Sequence, residues 1–277
     1  MHTKNIAKNE SYDLKKIQNI CFSILIEFDR LCEAHNIKYS LEGGSLLGAI
    51  KYKDFVPWDD DIDIVMLRAE YNKFIDVAKK ELGNDFILQN HNLCSEFPLN
   101  YSKLCYKNSF IYDYDYSHLK KMSHCIFIDI FPLDNVIEDR LKKQIKIVGC
   151  LTGAKRTKLR IKGNGKGLKL FIYRLISLLP LKFLNNLIDK TCTKYDKKTC
   201  SKVYEICNSN RKFKPLPISY YTDLIKADFR DRKFFISKHY DDFLKSRFGE
   251  NYMSELPPEP CRHPSHNKNI IIYKEYE

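Results

Sequence analysis

The sequence is notable first for what it does not contain. No stretch of about 20 uncharged apolar residues occurs, which argues against a membrane-spanning helix. The opening "MHTKNIAKNESYDLKK" has no apolar run after its charges, so no secretory leader is expected. The ten cysteines include no C-x-x-C pair and no Cys/His zinc spacing, and they read as reduced thiols of a cytoplasmic protein. There is no internal repeat and no nucleic-acid recognition motif, so nucleic acid is not an expected partner despite a net charge of +12. From Arg140 to Ile188 the chain has thirteen Lys or Arg and no Asp or Glu.

What is present suits a folded α+β protein of one large or two small domains. Hydrophobic residues make up 44%, enough for a buried core. Leu14, Ile17, Cys21, Ile24, Phe28 and Leu31 recur at helical spacing and predict a core-packing helix over 13–35. "KYSLEGG" reads as a short strand stopped by glycines, and "SLLGAIKY" as a short helix opening at Ser45. "DIDIVM" alternates acid and aliphatic residues as a strand does, and "RAEYNKFIDVAKKELG" predicts a helix stopped by Gly83. "NYSKLCYKNSFIYDYDY" and "SHCIFIDIFPLD" read as further strands.

The chemistry concentrates in "LEGGSLLGAIKYKDFVPWDDDIDIVM", with Asp59, Asp60, Asp61 and Asp63 inside five residues. Like charges this close repel unless a cation is shared. Carboxylates at i and i+2 of a strand point the same way, so Asp61 and Asp63 suit one Mg²⁺. Gly43 and Gly44 permit close approach of a phosphate, and a helix opening at Ser45 favours anions. The stretch therefore reads as a phosphate cradle plus metal clamp for phosphoryl or nucleotidyl transfer. The bland alternative is a solvated acidic loop.

These residues resemble the LicD family, an offshoot of the nucleotidyltransferase superfamily that includes DNA polymerase β. The likeness extends to "EFDRLCEAHNIKYSLEGG", "IFIDIFPLD" and "YDDFLKSRFGENYMSELPPEPCRHPSH", about half the chain in the family's order. It implies a nucleotidyltransferase-like mixed sheet with flanking helices. It also implies transfer of a phosphoryl-linked group from a CDP-activated donor to a glycan. By this resemblance Asp61 and Asp63 are metal ligands for Mg²⁺ (or Mn²⁺), with Asp59 beside them, Asp60 facing away and Asp129 as the third carboxylate. Gly44 and Ser45 would touch donor phosphate. Lys51 stands where many relatives have arginine, and it too would meet the donor phosphate. The last box carries Arg262 and His266 four apart, where the family has three. Asp134, after Pro132, is expected in a loop.

Two residue-level readings accompany the resemblance. Lys103 on the strand "YSKLCYK" is either a cation for donor phosphates or a solvated surface lysine. Trp58, Tyr112, Tyr114 and Tyr116 are either a cage for a choline ammonium or residues packing a sheet. The leading function is phosphocholine transfer from CDP-choline to a sugar of a cell-surface glycan, with a lipid-linked acceptor in view. Polyol-phosphate transfer and a non-catalytic glycan- or membrane-binding role are the alternatives. The expected division is a catalytic core at 1–139, a basic helical insertion at 140–225 and a C-terminal box at 226–277 returning to the site. The insertion, kinked at Pro180, is expected on an anionic surface at the inner face of the cell membrane.

Overall fold

The computed structural model of the chain describes residues 13–113, 115–162, 165–208 and 214–256, with the backbone of 270–275; the side chain of Tyr112 lies outside that description. Helix α1, Leu14–Ala34, opens on Asp13, whose carboxylate accepts the Lys16 N–H at 3.1 Å. Its apolar stripe of Ile17, Cys21, Ile24, Phe28 and Leu31 is buried, as the periodicity requires. Strand β1 (Ser40–Leu41) leads into α2 (Gly43–Leu47), which continues as a π-helical turn, Gly48–Tyr52. Next come β2 (Asp63–Leu67) and α3 (Arg68–Glu81). Strands β3 (Phe86–Gln89), β4 (Ser102–Tyr106), β5 (Ser109–Asp113) and β6 (Phe127–Asn135) follow.

The middle of the chain holds α4 (Glu138–Lys158), α5 (Gly167–Ile176) and α6 (Leu181–Cys192), with Pro180 at the cap of α6 as the break between two short helices. Strands β7 (Lys202–Tyr204) and β8 (Leu216–Pro217) come next, then the short α7 (Ser219–Thr222). The hairpin β9 (Leu224–Phe229) and β10 (Arg232–Ser237), α8 (Tyr240–Phe248) and β11 (Ile270–Glu275) complete the described elements.

The fold is mixed α and β around a seven-stranded mixed sheet. The order is β1-β2-β6-β4-β3, with β7 on the far part of β6 and β8 beyond it. The β2–β6 pair is parallel and the other pairs are antiparallel. Strand β6 is long because it serves two partners on one side. Residues 127–130 pair with β4, and Asp134 and Asn135 pair with β7. Pro132, which has no N–H to give to a ladder, sits between the two spans. Residues 202–217, inside the expected insertion, thus supply two strands of the sheet.

Alternation sorts the strands' side chains between two faces. Ile62, Ile64, Leu104, Ile128 and Ile130 join Ile24 and Phe28 of α1 in the main core, which also takes Phe229, Phe234 and Ile236 of the hairpin. The opposite face carries Val65, Phe131, Leu133, Val203 and Tyr221. A third cluster joins α4 to α6 through Leu141, Val148, Leu151, Leu184 and Ile188.

Two buried charges depart from the sequence reading. Asp134 lies in β6, not in a loop, and is fully buried. Arg68 grips it with two hydrogen bonds, Nε–Oδ1 at 2.7 Å and Nη2–Oδ2 at 3.0 Å. Its role is to tie the start of α3 to the sheet. Lys155 of α4 is likewise buried, not on a basic surface. Its ammonium donates to the Leu99 carbonyl at 3.1 Å and to Asn100 Oδ1 at 3.3 Å, and burial lowers its pKa to about 7.

Removing one partner of the Arg68–Asp134 pair leaves a buried charge alone. Asp134→Ala is expected to lose about 3–5 kcal/mol in denaturant unfolding, and Arg68→Met with Asp134→Leu to recover most of it. Between pH about 7 and the ordinary lysine value of 10.5, the unfolded chain holds a proton on residue 155 that the folded chain releases. Stability contributed by this group therefore rises with pH through that window. Urea midpoints measured across it for Lys155→Met are expected to lack that part of the rise.

Candidate active site

The site is built at one end of the β2, β6 and β4 strands. Parallel pairing places Asp63 opposite Asp129, and antiparallel pairing places Lys103 opposite Asp129. Asp63, Asp129 and Lys103 thus form one row across three adjacent strands, on the face away from α1. Lys103 is not a solvated surface lysine: its ammonium lies 3.2 Å from Asp129 Oδ1 with both side chains almost fully buried. The same ammonium stands over the Phe127 ring, 2.9 Å from its centroid.

Asp59, Asp60 and Asp61 precede β2 and curl around the end of this row. One carboxylate oxygen from each falls within 4.8 Å of the other two. Asp60 is buried and belongs to this group, which corrects the expectation that it faces away. The alternation behind that expectation holds only inside a strand, and β2 begins at Asp63. Burial, and then the charges of Asp61, Asp63 and Asp60, push the Asp59 carboxyl well above its usual range. A divalent ion would relieve the same crowding. The donor set is all carboxylate oxygen, which suits Mg²⁺ or Mn²⁺.

The glycines before the acids make room for them. Gly43 has φ +55°, the left-handed region where a side chain is strained, and it turns the chain from β1 into α2. A Cβ at Gly44 would stand 2.2 Å from Asp59 Oδ2, so only glycine allows that carboxylate its position. Glu42, not Ser45, occupies the cap of α2. Ser45 lies inside the helix, buried, and its Oγ accepts the Asp63 N–H at 2.9 Å. It fixes the start of β2 against α2.

Other expected residues are dispersed. Lys51 donates to the carbonyls of Tyr252 and Glu255, both at 2.8 Å, and so holds the C-terminal segment to the π-helical turn. Trp58 is half-buried against the main core, with its ring edge-on to Tyr52 at 6.5 Å. The Tyr112 side chain, Tyr114, Arg262 and His266 lie outside the described residues. Strand β5 ends at Asp113, so Tyr116 is in a turn and not on a tyrosine-bearing strand. Its hydroxyl accepts from Arg156 Nη1 at 3.2 Å.

That turn borders a cavity of about 730 Å³ between the entry to β4 and helices α4 and α5. Asn100, Tyr101, Tyr116, Arg156, Lys169 and Tyr173 contribute to its wall. Tyr101 is two residues from Lys103, on the same face of the chain, and its ring packs on Phe131 at 4.3 Å. Burial, then the charges of Asp129 and Asp63, raise its phenol pKa well above the usual value. Tyr101 thus links the cavity wall to the strand that carries Lys103. Sequence reasoning did not find it, because residues 98–101 and 145–173 meet only in the fold. Arg247 of α8 was also missed. It approaches the buried Glu42 at 3.7 Å and brings the C-terminal region onto α2. The aspartate cluster, the glycine turn and the acidic second strand are thus one site.

A family profile described as LicD/FKTN/FKRP, nucleotidyltransferase domain, matches residues 36–146. The chain is 31% identical over 268 residues to the lipopolysaccharide cholinephosphotransferase LicD of Haemophilus influenzae, covering 94% of this chain and 98% of that one. The chain belongs to the LicD family. A 32-residue stretch, 12% of the chain, is 56% identical to the human ribitol 5-phosphate transferase FKRP, of which it covers 6%. An uncharacterised protein of Rickettsia prowazekii is 26% identical over 121 residues, 36% of this chain and 45% of that one. LicD proteins are enzymes, and this chain is a transferase, as expected, which sets aside the alternative of a non-catalytic binding protein.

The geometry makes Gly44 a sensitive point. Gly44→Ala displaces Asp59, and a misplacement of about 1 Å in such a site costs roughly 100-fold. Titration calorimetry with Mg²⁺ is expected to show weakened binding for Gly44→Ala, Asp61→Asn and Asp63→Asn. The metal-free melting temperature of the two Asn variants should hold or rise, because like-charge repulsion is relieved. Unchanged Mg²⁺ affinity in all three would remove the metal assignment.

Proposed function

We propose that the chain transfers phosphocholine from CDP-choline to a sugar hydroxyl of a cell-surface glycan, releasing CMP. The observation that carries this reading is the in-register row Asp63–Asp129–Lys103, with Asp59, Asp60 and Asp61 at its end and the cavity linked to it through Tyr101. The lipopolysaccharide cholinephosphotransferase activity of the Haemophilus influenzae relative supports the choline group and the glycan acceptor. The same arrangement, an acid-bearing strand after a glycine–serine helix and next to a second acidic strand, supports a nucleotidyltransferase-like fold of the polymerase β type. On this reading residues 1–139 are the catalytic core, 140–225 the basic helical insertion and 226–277 the C-terminal box, of which α8 faces α2. The enzyme sits peripherally on an anionic membrane surface.

Asp59, Asp61, Asp63 and Asp129, with Asp60 added by the fold, would hold Mg²⁺ or Mn²⁺. The bound ion supplies charge neutralisation on the transferred and leaving phosphates. Gly44 allows the donor phosphates close to the backbone, and Ser45 and Lys103 stabilise that end of the sheet. Lys103 adds a fixed positive charge where negative charge develops. Asp129 accepts the proton of the attacking sugar hydroxyl as it adds in line to the choline-bearing phosphorus. The bond from that phosphorus to the bridging oxygen breaks, and CMP departs with it. Trp58 is the aromatic face proposed for the quaternary ammonium, and the other two expected cage residues, the Tyr112 side chain and Tyr114, lie outside the described residues.

A second reading, polyol-phosphate transfer, is favoured by the 32-residue match to the ribitol 5-phosphate transferase. A polyol requires several polar partners, costly if left unpaired, whereas an ammonium over aromatic rings requires none. Incubation with Mg²⁺, candidate glycans and each of CDP-choline, CDP-ribitol and CDP-glycerol, with CMP followed, separates the two. CDP-choline is expected to be turned over fastest. Trp58→Ala is expected to raise its KM by about one to two orders of magnitude. Faster CMP release from either polyol donor would replace the choline reading with the second one.

A further inference from the structure

The basic middle of the chain divides its labour between two helices. At the C-terminal end of α4 Lys155 is buried, Arg156 bonds Tyr116, and the exposed Lys158 donates to the Ser177 carbonyl at 2.8 Å, while Arg140, Lys142, Lys143 and Lys146 nearer its start are exposed. Helix α5 adds an apolar face to its exposed cations. Its Tyr173 packs under α4 so tightly that a Cβ at Gly153 would stand 2.3 Å from the ring. The other side of α5 turns Leu168, Phe171, Ile172 and Leu175 outward at i, i+3, i+4 and i+7, one continuous stripe. Leu178, Leu179 and Phe183 extend it across the turn into α6. Leu168 is 74% exposed and Leu178 78%. Seven of the thirteen exposed large apolar residues among those described lie between 168 and 183, so this is a patch and not scatter.

The rim of the patch names its occupant. Lys166, Lys169, Arg174 and Lys182 are exposed around it, and no acid occurs from Arg140 to Ile188. An apolar stripe whose own segment carries cations and no acid matches a surface that is apolar below and anionic above. We infer that the outer face of α5 and the α5–α6 turn seat on an anionic lipid bilayer. The apolar side chains enter the headgroup boundary, and the Lys and Arg stems reach back to the phosphates. Ile172, Lys169 and Tyr173 also line the 730 Å³ cavity. Docking by this face therefore sets the cavity beside the membrane surface. The inference deepens the peripheral placement proposed above and does not depend on which group is transferred.

The test is sedimentation of the full chain with vesicles of phosphatidylcholine alone or of phosphatidylcholine with phosphatidylglycerol, at low and high salt, with no nucleotide present. The expected result is binding to the acidic vesicles that weakens with salt. A triple variant, Leu168→Ser with Phe171→Ser and Leu175→Ser, and a charge variant, Lys166→Glu with Arg174→Glu and Lys182→Glu, should each reduce it about tenfold or more. Both variants change exposed side chains, so their melting temperatures should stay near that of the parent. Binding that is negligible, equal for the two vesicle types, or unchanged in the triple variant would overturn the inference. So would a parent that is dimeric by light scattering and made monomeric by the triple variant, since the face would then join two copies of the chain. Because vesicle binding is read without donor, failure of the choline reading leaves this result standing, and the reverse holds as well.

Discussion

Asp63 and Asp129 meet because β2 and β6 run parallel in a register that pairs them directly, and the rest of the site depends on that register. A slip of one residue would turn Ile62 and Ile64 out of the main core and carry the acids into it, so burial of the aliphatic face specifies where the carboxylates go. Serine 45 reinforces the choice by accepting the Asp63 N–H, and β4 extends the row by setting Lys103 against Asp129. Packing energy on one face thus holds mutually repelling groups together on the other.

Charge is managed differently in each part of the molecule. At the end of the sheet, acids crowd without enough cations among them, and the Asp59 carboxyl responds by binding its proton more tightly. A few residues along, Arg68 and Asp134 neutralise one another by two short hydrogen bonds in the interior. In α4 a lone buried lysine is answered by a carbonyl and an amide oxygen, and burial makes its charged form costly. Much of the remaining positive charge of the middle segment is at the surface, and Lys166, Lys169 and Arg174 flank or interrupt the exposed apolar stripe of α5. The acid cluster at one end of the sheet thus shares the molecule with a segment of opposite charge.

The covering segment and the sheet are not independent. Strands β7 and β8 arise after the basic helices yet complete the far end of β6. Helix α8 comes still later and lies on α2, with Arg247 facing Glu42 and Lys51 holding two carbonyls of the segment beyond it. The glycine turn that shapes the acid cluster and the turn that follows it are therefore held by chain from the C-terminal part of the sequence.

Much of this was legible in the sequence where the signal is local. The α1 stripe, the α3 helix, the break at Pro180, the acid pair after a glycine turn and the LicD family likeness all depend on residues within a few turns of one another. Local sterics and periodicity determine such features. The errors arose where a local rule was extended past its element. Asp60 was turned away by an alternation that starts only at Asp63, Asp134 was released to a loop that β7 converts to strand, and Tyr116 was placed on a strand that ends at Asp113. Lys103 and Lys155 were legible as cations but not as buried ones, since solvent exposure depends on what packs above a side chain. The sequence by itself determined where the acids gather and which helix faces are apolar. Only the tertiary structure decided that Lys103 joins Asp129, that Tyr101 borders a cavity with α4 and α5, and that Tyr173 of α5 packs on α4 while its apolar stripe stays exposed, because each is a contact between segments far apart in the chain, set by register and packing rather than by neighbouring residues.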